Sequence, residues 1–193
     1  MRYRTIVADP PWAYDEGWPA ASTSPLSAFN RAGVPEQTNA RSPLPYRSLS
    51  VDEIAALPVQ PLALDDAHLF LWITNRYVLS GYSIVHSWGF RESQLLTWCK
   101  TPRGIGPGGL FASASEFVIY ARRGKPEYVK RQDRNWWSWP RSGHSNKPEA
   151  FLDVVESSCP GPYLELFARR QRLGWDTWGN EALCHVEMET GAA

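Results

Sequence analysis

The stretch "AHLFLWIT", residues 67 to 74, is apolar on both of the faces that a strand would present. A strand buried on both sides needs cover above and below, which a parallel sheet flanked by helices provides. This run narrows the chain to architectures in which strands and helices alternate, and the rest of the pattern agrees. Residues 5 to 8 read as a short β-branched and apolar strand, ended by Pro10. "SVDEIAALP" sets Ser50 three residues before Glu53, a capping-box signature for a short helix closed by Pro58. "RYVLSGYSIVHSWGF" reads as a helix ending at Gly89. "QLLTWCK" and "SEFVIYAR" are two further strands across the loop "TPRGIGPGG", which lacks dinucleotide-fingerprint spacing and reads as a linker. "KPEAFLDVVESSCPG" is a helix with Pro148 in its first turn, and residues 163 to 169, "YLELFAR", are the last clear strand. The expected fold is α/β, a doubly wound sheet, in one domain over residues 1–193. Residues 13–45, rich in Pro, Ser, Ala and Gly, are expected to form a mobile loop, and 184–193 a frayed tail.

Composition excludes several classes of function. Twenty Lys or Arg balance twenty Asp or Glu, so no global field draws the chain to nucleic acid or a membrane; only a local patch could. Cys99, Cys159 and Cys184 form no CxxC pair, which argues against a zinc site or a disulfide framework and for reduced thiols. Neither His68 nor His86 has a ligand partner at helical spacing, so no metal is expected. With no signal-peptide core and no membrane-spanning run, the expected location is cytoplasmic.

Four features carry chemistry. Asp9, Pro10, Pro11 and Trp12 stand where a parallel strand ends, the place where open α/β sheets bind ligands. The prolines remove two backbone donors and leave the Pro10 carbonyl to accept, beside the Asp9 carboxylate. Two acceptors and the Trp12 ring suit a planar group bearing an NH2; an ordinary turn is the competing reading. In "GHSNKPEAF", Lys147 beside a helix start suits a carboxylate or phosphate, or is simply a solvated side chain. Asn180 and Glu181, beyond the last strand, could bind ribose hydroxyls or be plain loop residues. Between Arg122 and Arg141 lie seven Lys or Arg against two acids, interleaved with Trp136, Trp137 and Trp139. Basic residues with aromatics can hold a nucleic-acid strand, and a solvated basic loop has the same composition.

Taken in order, "ADPPW", "YRSLSVDEIAALPV", "LFLWITNRY", "SWGFR", "ASEFVIYARRGKP", "HSNKP" and "ELFARRQRLGWDTWGNE" resemble one family across most of the chain. It is named after the seventy-kilodalton subunit of the eukaryotic mRNA adenosine methyltransferase. The resemblance implies a Rossmann-like methyltransferase sheet with permuted motif order, the catalytic motif preceding the cofactor motifs. It implies transfer of methyl from S-adenosylmethionine to the N6 amino group of adenine in a polynucleotide, DNA ahead of RNA for a compact chain. The alternatives are a non-catalytic cofactor-binding partner in a methyltransferase pair, or an enzyme acting on a small-molecule amine. Carried over by position, Asp9, Pro10, Pro11 and Trp12 are catalytic, and Lys147, Phe167, Arg169, Asn180 and Glu181 bind the cofactor. Tyr14, Arg131, Arg134, Trp136, Arg141 and His144 are expected to meet the nucleic acid. A monomer or homodimer, with or without a heteromeric partner, is expected. Only eight residues precede Asp9, so the family's upstream contacts to the cofactor adenine are expected to be missing or replaced.

Overall fold

The computed structural model describes residues 1–13, 48–100, 111, 113–141, 146–179 and 182–188. In chain order these build β1 (Tyr3–Ala8), α1 (Val51–Ala55), β2 (Ala63–Ile73), α2 (Val78–Ser87), β3 (Arg91–Lys100), β4 (Ser115–Arg123), β5 (Trp136–Trp139), α3 (Glu149–Ser158), β6 (Tyr163–Leu166) and β7 (Trp175–Trp178). The strands form one sheet in the order β5-β3-β4-β2-β1-β6-β7. β1 pairs in parallel with β2 and β6, and β6 with β7. β4 runs antiparallel to both β2 and β3, while β5 is parallel to β3. β4 is the one reversed strand in this sheet, paired antiparallel with a neighbour on each side.

The apolar residues 67 to 73 lie in β2, in the middle of the sheet. Leu69, Leu71 and Ile73 pack with Ile54 of α1 and with Ile84 and Val85 of α2. Phe70 and Trp72, pointing the other way, pack with Phe151, Leu152 and Val155 of α3. Each such side chain taken out of water contributes about 2 kcal/mol, which is why residues 69 to 73 of β2 are apolar without alternation. The expected two-sided sheet is therefore present.

Local expectations at α1 and α2 are met atom by atom. Ser50 Oγ accepts from the Glu53 N–H, and Glu53 Oε2 accepts from the Ser50 N–H, closing the capping box. α2 gives way to Gly89 at φ +79, a left-handed conformation in which a side chain is strained. Three expectations need correction. Pro148 is the N-cap of α3 and stands just outside its first turn. The sixth strand ends at Leu166, not at residue 169, because Phe167 turns to φ 63. Two strands lie where none was expected: β5 in the basic-aromatic segment, and β7 just before Asn180 and Glu181. Both are four residues long, and β7 buries only Trp175 and Thr177 of its four.

His68 is a buried structural residue: Nε2 donates to the Glu127 carbonyl at 2.9 Å, so Nδ1 accepts from the Tyr120 hydroxyl at 3.0 Å. Burial pushes its pKa down, so the ring is held neutral. The three cysteines are unpaired. At the start of the expected tail, the His185 N–H donates to the Thr177 carbonyl at 2.8 Å, and Val186 and Met188 pack on the core. Among the described residues no helix is long and apolar enough to cross a membrane.

Candidate active site

With β1, β2, β3, β5, β6 and β7 running the same way, their carboxyl ends share one edge of the sheet. Asp9 and Pro10 follow directly on β1 at the middle of that edge, beside the end of β6, where the Asp9 N–H donates to the Leu166 carbonyl at 3.3 Å. The Asp-Pro-Pro-Trp turn is tight. The Trp12 N–H donates to the Pro10 carbonyl at 2.9 Å, so that carbonyl already accepts one bond and has its second lone pair left to offer. The expectation of an unengaged Pro10 carbonyl is corrected to this extent.

Trp12 is 4% exposed. Its ring stacks on Tyr77 with centroids 4.6 Å apart, and its Nε1–H donates to the Trp72 carbonyl at 3.2 Å. One face of the indole is thus used by the protein itself. Tyr77 is tied in turn to the Ala13 carbonyl through its hydroxyl. The two aromatics hold the chain that leaves the turn against the end of β2.

Lys147 reaches this turn from the loop before α3. Its Nζ lies 2.8 Å from both carboxylate oxygens of Asp9 and 3.4 Å from Glu116 Oε2. Glu116, the second residue of β4, also accepts from Lys100 Nζ at 2.6 Å, and Lys100 ends β3. Lys100, Glu116, Lys147 and Asp9 form a row of alternating charges along the strand ends, each between 9% and 21% exposed at its side chain. Burial drives the Asp9 carboxyl above its ordinary range, and the nearby Glu116 adds to this; Lys147 and Arg169 oppose it without cancelling it. For Glu116 burial also disfavours the charge, but Lys147 and Lys100 outweigh it and hold the group below its usual value.

Glu165, on β6 between β1 and β7, is the third acid near the site, after Asp9 and Glu116. Among the described residues nothing donates to its buried Oε2. Burial pushes its carboxyl up to about 7, with the charge of Asp9 adding to the effect and Arg170 and Arg172 working against it. Phe167, left-handed just after β6, meets Trp178 edge to face at 5.3 Å. Gly179 follows, and a Cβ placed there would fall 2.6 Å from the Ala168 backbone nitrogen. This close approach joins the ends of β6 and β7 into one wall. Arg169 lies near enough to act on the charge of Asp9.

The structure thus brings Asp9, Pro10, Pro11, Trp12, Lys147, Phe167 and Arg169 to one edge. The basic-aromatic segment sits elsewhere on the same sheet. β5 is the outer strand, separated from β1 by β3, β4 and β2, about 19 Å away at ordinary strand spacing. Trp136 is 53% exposed, Arg131 and Arg141 are exposed, and Arg134 is ion-paired with its neighbour Asp133. Trp137 and Trp139 stack on each other at 5.6 Å and pack against the core. Tyr14, His144, Asn180 and Glu181 lie outside the described residues. Sequence reasoning passed over Lys100, Glu116 and Glu165. A lysine and a glutamate flanking a glycine-rich loop, and an acid at the third position of a four-residue strand, were the available signals.

The MT-A70 family model matches residues 3–181. The chain belongs to this family. It is 31% identical over 184 residues to the type II methyltransferase M.MunI of Mycoplasma sp, a match covering 93% of this chain and 78% of that protein. It is 25% identical over 190 residues to the human N(6)-adenosine-methyltransferase catalytic subunit METTL3, covering 93% and 28%. To the N6-methyladenosine RNA methyltransferase MTA1 of Cryphonectria parasitica it is 29% identical over 197 residues, covering 95% and 53%. The chain therefore spans most of M.MunI, about half of MTA1 and just over a quarter of METTL3. The MT-A70 match contains every element of the edge described above, from β1 to the wall after β6 and β7.

Proposed function

We propose that this MT-A70 chain is an S-adenosylmethionine-dependent methyltransferase that acts on the N6 amino group of adenine in a polynucleotide. The observation that carries this reading is the juxtaposition of Asp9 and the Pro10 carbonyl with Lys147 at the carboxyl ends of parallel strands. MT-A70 methyltransferases generally use S-adenosylmethionine, and the residues present fit its amino-acid end. Lys147 offers a cation to the carboxylate, and Glu165 Oε2, buried without a donor among the described residues, offers an acceptor to the ammonium. Phe167, Trp178 and Arg169 supply the adjoining wall. The span shared with the type II methyltransferase M.MunI supports the reading that DNA comes ahead of RNA as the substrate.

When bound, S-adenosylmethionine supplies an electrophilic methyl group carried on a sulfonium. The protein's own task is to prepare the amine. An adenine amino group is a weak nucleophile because its lone pair is delocalised into the ring. Asp9 and the Pro10 carbonyl accept its two protons, which favours a pyramidal nitrogen and stabilises the positive charge that grows there. The stiff turn, held from behind by the Trp12–Tyr77 stack, fixes both acceptors in place, so little ordering remains to be done at the moment of reaction. Asp9, raised in proton affinity by its burial, then takes the proton that the methylated nitrogen sheds. An adenine inside a duplex has to be flipped out of the stack to reach this edge.

The test is incubation with labelled S-adenosylmethionine and single-stranded DNA, duplex DNA and RNA in parallel, followed by nucleoside mass spectrometry. The expected product is N6-methyladenine. Label on cytosine, or none on any polymer despite bound cofactor, would overturn the reading.

A further inference from the structure

Lys147 stands between two carboxylates and cannot serve both equally. It is 2.8 Å from each Asp9 oxygen and 3.4 Å from Glu116, whose other oxygen is fixed at 2.6 Å by Lys100. An ammonium seated on both oxygens of Asp9 competes directly with an amine that needs the same lone pairs. Pulling a cation off a largely buried carboxylate is costly unless the cation finds a new partner and the carboxylate a new positive charge. This edge provides for both. Glu116 is a second carboxylate within a small side-chain rotation of Lys147. The incoming amine donates an N–H to Asp9 in place of Lys147, and the nitrogen supplies the replacing charge as methyl transfer proceeds. Lys100 has a role as well: paired with Glu116 at 2.6 Å, it keeps that acid from repelling an incoming carboxylate, and together Lys147 and Lys100 hold the Glu116 carboxyl below its usual range.

We propose that Glu116, braced by Lys100, is a positioning residue that draws Lys147 off Asp9 as the cofactor carboxylate arrives, so that Asp9 opens to the amine only after the cofactor has bound. This rests on the assignment of Lys147 to that carboxylate. In its absence Lys147 covers Asp9 and the amine site is closed. Glu116→Gln removes the second holding point and leaves Lys147 on Asp9.

Two measurements test this. The first is a crystal structure of the full chain with S-adenosylhomocysteine, a probe with the same amino-acid end. Lys147 Nζ is expected beyond about 4 Å from the Asp9 carboxylate and in hydrogen-bond contact with Glu116. A bound probe with Lys147 still on both Asp9 oxygens overturns the proposal and leaves the methyltransferase reading standing. An unmodified chain that does not bind the probe removes both. The second is kinetic. Glu116→Gln is expected to keep its affinity for S-adenosylhomocysteine within about threefold while kcat at saturating cofactor falls about 30-fold, with partial recovery in Glu116→Asp. In a Lys147→Gln background, Glu116→Gln should cause no further loss, since there is no cation left to move. An equal loss in both backgrounds, or an unchanged kcat, sinks the idea.

Discussion

Lys147 and Asp9, 138 residues apart in the chain, meet through a two-pronged ion pair in which one ammonium reaches both carboxylate oxygens at 2.8 Å. The pair joins the turn after β1 to the loop before α3, so the proposed acceptor for the amine and the proposed cation for the cofactor carboxylate are set against each other. Several outcomes depend on that arrangement.

Asp9→Ala removes the charged acceptor but leaves Lys147 its second partner, Glu116. Methyl transfer should fall by at least about a hundredfold, the order seen when one preorganised group is removed from a transition state. Affinity for S-adenosylhomocysteine, measured by calorimetry, should be retained. Undiminished methylation by this variant is incompatible with the assigned role.

Glu165 should make stability depend on pH. Its ordinary value is 4.5 and in the folded protein it is pushed up to about 7. A proton is therefore held by the folded state across that window after the unfolded chain has lost it. Stability should fall as pH rises from about 4.5 to 7, by up to about 3 kcal/mol, and then level off with respect to this group. Urea unfolding midpoints at pH 5, 6, 7 and 8 would check it, with Glu165→Gln expected to flatten the trend. Saturating S-adenosylhomocysteine should flatten it too, because an ammonium beside Glu165 restores the ionised form.

The tryptophans of β5 should separate by role. Trp136 is 53% exposed, so Trp136→Ala should change stability by less than about 0.5 kcal/mol and weaken binding of a single-stranded oligonucleotide by the ~1–3 kcal/mol of a stacked base. Trp139→Ala, which removes a ring packed on Trp137 and the core, should destabilise the fold by about 3 kcal/mol. Thermal melts and fluorescence anisotropy at two salt concentrations would distinguish these effects. Equal binding by Trp136→Ala and the unmodified chain would leave β5 as a purely structural edge.

Gly179→Ala puts a methyl against the backbone of Ala168, which cannot rotate away. The ends of β6 and β7 must then separate, at about 1–3 kcal/mol. Cofactor-analogue binding should weaken with it, because Phe167 and Arg169 stand on the displaced wall. Normal stability and normal affinity in this variant would show that the approach at Gly179 has no bearing on the site.

Much of this protein was legible from its residues alone. Apolar runs, capping signals and strand-breaking prolines act within a turn or two, so β1, α1, β2, α2 and the Asp-Pro-Pro-Trp turn could be placed before any fold was known. The two-sided burial of β2 even implied helices on both faces. The short strands β5 and β7 were a different matter, because four residues at a sheet edge acquire their conformation from the neighbour they pair with. The partners of Lys147 lay further out of reach. Nothing near residue 147 indicates that its ammonium will rest on residue 9 and lean towards residue 116. The order of the motifs along the chain marked it as an MT-A70 protein. Only the sheet order, by setting the ends of β3, β4 and β1 along one buried edge, decided which charges face each other there.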